Sequence, residues 1–141
     1  MLVQLCYISD HLGGIIPDLD TFILGARERN TSMQISSILL STSKYYIHLI
    51  EGTRISVNYL YNKISKDPRH ANCTILRYVD IRNREFDQWP AEHVSMDDFN
   101  VSGINLLLPT GIIDSSIITS THAVSIIRRI HAHLLVNAGS R

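Results

Sequence analysis

The sequence predicts an α+β fold: a ferredoxin-like βαββαββ antiparallel sheet with two helices on one face and a C-terminal helical extension. Three observations predict it. Short apolar, strand-compatible runs recur between breaks rich in Gly, Pro, Asn and Ser. Two stretches of helical period, residues 18–29 and 54–66, separate those runs. After Pro90 the texture changes, and only residues 122–136 keep a clear helical stripe.

The elements follow in order. Residues 2–8 carry Leu2, Val3, Leu5, Cys6 and Tyr7, all compatible with a strand, and Gly13-Gly14 breaks the chain. Residues 18–29 place Leu19, Phe22, Ile23 and Ala26 at helical spacing. Asp18 and Asp20 stand at the start of that stretch and Arg27 and Arg29 at its end, as a helix dipole favours. Asn30-Thr31-Ser32 ends it. Residues 34–41 and 45–50 form two apolar runs around a polar Ser41-Thr42-Ser43-Lys44, the pattern of a hairpin. Glu51-Gly52 closes the second run. Ile55, Val57, Leu60, Tyr61 and Ile64 make the next helical stripe, which Asp67-Pro68 stops. Residues 72–81 and 84–89 read as two further strands with Arg82-Asn83 as a tight turn. In the tail, Ala123, Ile126, Ile127, Ile130 and Leu134 form a stripe with Arg128 and Arg129 off it.

Composition narrows the function classes. The chain has 141 residues, 45% hydrophobic and 18% charged, which suits one domain with a buried core. Lys plus Arg number 13 and Asp plus Glu number 13, so no basic field points to nucleic acid or an anionic membrane. Cys6 and Cys73 lie in apolar runs and read as reduced thiols. The N-terminus lacks a signal-peptide pattern and no run approaches the ~20 apolar residues of a membrane span, so a cytoplasmic location is the expectation. His131 and His133 are two apart and diverge on a helix, and His70 and His93 lack acidic or cysteine company at metal-ligand spacing. No nucleophile elbow, P-loop or dinucleotide fingerprint occurs, so the chain is not expected to be an enzyme.

One ordered series of residues is specific. Tyr7 is followed by Ser9, then Ala26-Arg27 and Asn30, then Ile35-Ser36-Ser37-Ile38-Leu39-Leu40. Tyr46-Ile47-His48-Leu49-Ile50-Glu51-Gly52, Asp67-Pro68-Arg69-His70 and Arg84-Glu85-Phe86-Asp87-Gln88-Trp89 complete it. Together they resemble the BLUF family of flavin-binding blue-light sensors. The resemblance divides the chain into a flavin-binding domain over 1–94 and a helical extension over 95–141.

It also implies a site. FAD would lie between the two helices on the sheet face, with Ile23, Ile55, Val57 and Ile64 as apolar walls. Asn30 matches the family's flavin-binding asparagine and has the donor and acceptor that a pyrimidine edge requires, with Arg27 one turn earlier. Lys63, Asp67 and His70 match positions near the ribityl and phosphate end. A lone lysine is modest for a pyrophosphate, so FMN would satisfy the slot almost as well. By their spacing alone, Asn30 is also a helix terminator and Lys63 with Asp67 an i,i+4 pair.

The same resemblance assigns the photochemistry to Tyr7 as electron donor, with Trp89 in the output. The family's switch glutamine is replaced by His48. An amide exchanges donor and acceptor by rotation or tautomerisation, whereas a neutral imidazole has one of each on a rigid ring. His48 therefore either bridges Tyr7 and the flavin differently or is an inward strand residue at a lost site. Ser37 and Ala91 stand where the family has glycine and methionine. The expected function is a light- or redox-responsive regulator that signals by protein contact. It would form a homo-oligomer and act on a downstream protein partner. The alternative is a scaffold that no longer binds flavin and serves as an interaction module.

Overall fold

The computed structural model describes residues 1–12, 19–42, 44–86, 91–95 and 118–139, with backbone alone at 19–23 and 137–139. The elements are β1 (Leu2–His11), α1 (Leu19–Ser32), β2 (Ser36–Ser41), β3 (Tyr45–Thr53), α2 (Arg54–Ile64), β4 (His70–Ile81), β5 (Glu92–Ser95) and α3 (Ser120–Gly139). They form one sheet of order β4-β1-β3-β2-β5.

Strand alternation decides which side chain faces where. Val3, Leu5 and Tyr7 of β1 join Ile35, Ile50, Val57 and Leu60 in one apolar cluster, under α2. Cys6 and Ile8 point the other way, with Ile38, Leu40, Ile47 and Leu49, against Ala123, Val124, Ile126, Ile127 and Ile130 of α3. The tail stripe is thus used within the chain as the cover of the outer sheet face. The apolar Ile104, Leu106, Leu107 and Leu108 lie outside the described residues.

Local chemistry sets the corners. Gln34 takes a left-handed backbone (φ 55°) between α1 and β2. Thr53 caps α2, its Oγ1 accepting from Ser56 N at 3.2 Å. At Gly52 an added Cβ would lie 3.2 Å from Ile35 Cγ1 and 3.3 Å from the Gln34 carbonyl oxygen, so the strand end packs where a side chain would crowd.

The α+β class and the order of the first six elements are as expected, but the fifth strand is elsewhere. Residues 84–86 do not join the ladder as an antiparallel partner of β4. The buried carboxylate of Glu51 takes the backbone N–H groups of Glu85 (3.0 Å) and Phe86 (2.8 Å), and Arg84 donates to Ser36 Oγ and the Glu51 carbonyl. Those N–H groups are therefore not available to a neighbouring strand. The fifth strand is Glu92–Ser95, and it runs parallel to β2. The sheet is mixed rather than wholly antiparallel.

Candidate functional site

Tyr7 and His48 are direct cross-strand partners on β1 and β3. Their side chains emerge on the α2 side of the sheet, where Tyr7 Oη lies 3.0 Å from His48 Nδ1 and the rings meet edge-on at 5.4 Å. Both groups are buried. Burial, followed by the charges of Arg29, His70 and His93, lowers the His48 pKa to about 3. Burial also lifts the Tyr7 phenol well above its usual value. Both are therefore neutral at physiological pH, and a single hydrogen lies between them.

The pair forms part of the wall of a cavity of about 330 Å³, at the low end of small-molecule sites. Ala26, Leu39, Leu60 and Ile64 give it apolar sides, and Asn30, Ser37 and His48 give it polar points. Lys63, Asp67, Arg69 and His70 line it from the C-terminal end of α2 and the start of β4. Flat apolar sides, a polar edge and cations beyond it fit the ring and phosphate of a flavin.

The expected site residues distribute unevenly. Asn30 is buried at the cavity wall, where its Nδ2 donates to Ser37 Oγ at 3.2 Å. Arg29 donates to Asn30 Oδ1 from Nε and Nη2, both at 3.3 Å. His70 has both ring nitrogens engaged. The Ile64 carbonyl can only accept, so Nε2 donates to it (2.5 Å), and Nδ1 shares a hydrogen bond with the Ser9 hydroxyl at 2.8 Å. His70 therefore contributes a ring wall, 6.3 Å from the Tyr7 centroid. Asp67 pairs with Arg69 rather than Lys63, and those hydrogen bonds hold its carboxyl below the usual range. Lys63 Nζ leans over the Tyr59 ring at 5.6 Å.

Three expectations are corrected. Arg27 does not line the cavity; it donates to the Ala91 carbonyl at 2.9 Å and pairs with Glu92 at 3.6 Å, joining α1 to β5. Ile55 is not a wall, being 84% exposed on the outer side of α2. Val57 is core beneath the sheet face, where the helix period carries it away from the cavity. Trp89 and the side chain of Ile23 lie outside the described residues.

Sequence reasoning missed Arg29, Leu39, Tyr46 and His93 as lining residues. Two periods would have found the first pair. Ala26, Arg29 and Asn30 stand at i, i+3 and i+4 of one helix, and Leu39 faces His48 across the hairpin.

The fold and cavity thus define a class: a small α+β domain with a ligand-sized cavity between helix and sheet. Comparison with known proteins makes it particular. Residues 2–92 match the model of the family described as BLUF, sensors of blue light using FAD. The chain belongs to that family. It is 33% identical over 70 residues to photoactivated adenylate cyclase subunit alpha of Euglena gracilis, half of this chain but 7% of that protein. The beta subunit of the same organism gives 33% over 69 residues and 8% of its length. Among solved structures, the dark state of BlrB, a BLUF protein, is 28% identical with a TM-score of 0.74, covering 94% of this chain and 96% of that one. The photo-activated state of BlsA shares the fold at TM-score 0.76 and 22% identity, covering 91% and 93%. Among the described residues no helix is long and apolar enough to cross a membrane.

Proposed function

We propose that this chain is a flavin-dependent light sensor whose photocycle is altered by His48 and whose output is protein contact rather than catalysis. The observation that carries the reading is the hydrogen bond between Tyr7 Oη and His48 Nδ1 at the cavity wall. The flavin, FAD or FMN, supplies light absorption and a place for an electron. Asn30 holds its polar edge, and Lys63 serves its phosphate end.

The protein's own part is proton handling. On this reading neutral His48 carries its hydrogen on Nε2, so that Tyr7 donates to Nδ1. If the bound flavin accepts both the electron lost by Tyr7 and the proton released from Nε2, the ring would take the Tyr7 proton at Nδ1 and return to a neutral imidazole. Rotating an amide swaps a donor for an acceptor; this relay leaves the ring where it is. The ordinary rearrangement at the switch position is therefore lost even where the proton path is kept.

The division into 1–94 and 95–141 is part of the same reading, and the output passes through the extension. Glu51 on β3 binds the backbone of Glu85, and the Glu85 carboxylate binds Arg128 of α3 at 2.6 Å. Leu135 and Val136 are exposed on that helix, and they supply an apolar contact for a second copy or for a downstream partner.

A second reading, a scaffold that no longer binds flavin, is favoured by the bond between Ser37 Oγ and Asn30 Nδ2, which engages the proposed anchor. Titration with FAD separates the two. Co-eluting flavin absorbance supports the first reading, and a colourless protein in excess FAD refutes it. With flavin bound, illumination should give no ordinary reversible red shift, and His48→Gln should restore one. A normal shift in the unmodified chain would show the assignment to His48 wrong.

A further inference from the structure

The charges around the cavity do not balance locally. Asp67 is tied to Arg69 and Glu92 to Arg27. Arg29 and Lys63 also line the cavity, yet among the described residues neither has a carboxylate within ion-pair distance. Lys63 rests over Tyr59. Arg29 lies against the Asn30 amide, which on the reading above holds the polar edge of the flavin. The phase of α1 places it there, on the face shared with Ala26 and Asn30. Its guanidinium is drawn partly out of water, and its charge reaches across the cavity to depress protonation of His48.

We propose that Arg29 makes this cavity bind the reduced, electron-rich flavin in preference to the oxidised one. The inference rests on the flavin-binding reading and adds the charge state of the ligand that the site selects. Two-electron reduction increases the negative charge on the pyrimidine side of the ring system, and a cation held near it tunes the couple. A neutral oxidised ring gains little from that cation, whereas an anionic ring gains the Coulomb attraction in a medium less screening than water. Two neighbouring histidines do not supply the charge. Burial lowers the pKa of His48 to about 3 and lowers that of His93 as well, so neither adds positive charge to the cavity at neutral pH.

The test uses the full chain loaded with FAD. Its dark affinity is read by fluorescence quenching and its midpoint potential by dithionite titration against a reference dye, for the unmodified chain, Arg29→Gln and Arg29→Lys. Arg29 is exposed by overall area, so these variants are expected to fold. The preference for reduced over oxidised FAD should fall about tenfold in Arg29→Gln, a shift of about 30 mV for a two-electron couple. Arg29→Lys should recover most of it. Equal potentials in the unmodified chain and Arg29→Gln, both holding FAD, overturn the proposal and leave flavin binding intact. Loss of oxidised FAD by Arg29→Gln, with Arg29→Lys unaffected, also overturns it, because the charge would then serve both forms alike. Failure of the unmodified chain to bind FAD refutes the flavin reading, and this inference with it.

Discussion

The two faces of the sheet use the same strands for opposite purposes. Toward α3, Ile47 and Leu49 of β3 enter a dry cluster with Ile126, Ile127 and Ile130, each 0% exposed. Toward α2, the residue between them is His48, bonded to Tyr7 on a cavity wall. One step along a strand separates a residue chosen for packing from one chosen for proton chemistry. The pleat makes the two requirements independent, so a site can be altered without loosening the core behind it.

The largest expected effect tests that independence from the packed side. Ile126→Ala removes buried methyl groups from the α3 face and should cost about 2–5 kcal/mol in denaturant unfolding. Flavin affinity of the folded fraction should change little. A parallel loss of affinity would show the faces to be coupled through the sheet.

A smaller effect reads the cavity face. The His48 pKa is lowered to about 3 by burial, against about 6.5 in an unfolded chain. The unfolded state then binds the proton first, so the stability associated with neutral His48 is intact above pH ~6.5 and is lost as pH falls toward 3. Between pH 7 and pH 5 the unmodified chain should lose roughly 2 kcal/mol more stability than His48→Gln. Identical acid profiles would mean that the imidazole is solvated.

The smallest concerns Arg27, whose pair with Glu92 is part-exposed. Arg27→Ala should cost at most about 1 kcal/mol, measured by thermal unfolding, and leave FAD affinity unchanged. Set beside Arg29, two positions on, it asks whether helix phase alone separates a structural arginine from a ligand-facing one.

The same periodicities explain what was legible in the sequence. The strands β1 to β4 and the tail stripe follow from runs of two and 3.6, and so does the cross-strand meeting of Tyr7 and His48 once β1 lies beside β3. The fifth strand was not legible. Arg84 to Phe86 look strand-like in isolation, but their backbone is claimed by Glu51, which no local pattern reports. The true edge strand, Glu92–Ser95, is four residues long with Val94 as its only aliphatic. Arg27 and Arg29 differ in helix phase, and a spacing of one turn before Asn30 pointed to Arg27. The engagement of His70 by Ser9 and Ile64 depends on three separate elements and leaves no trace in spacing.

The position of β1 at the second place in the sheet also governs how the chain assembles. Its neighbours are β3 and β4, with Leu2 paired to Thr53 on one side and to Ile81 on the other. The hairpin of β2 and β3 is a local pairing, whereas β1 meets β3 and β4 across longer stretches of chain. Loop entropy must therefore be overcome before the distant pairings return any stabilisation, and such sheets fold slowly. Leu2 waits for Ile81 before its strand is flanked on both edges. Through that interval Val3, Leu5 and Tyr7 are left without their partners on the far edge, so expression yield should depend on how quickly β4 arrives.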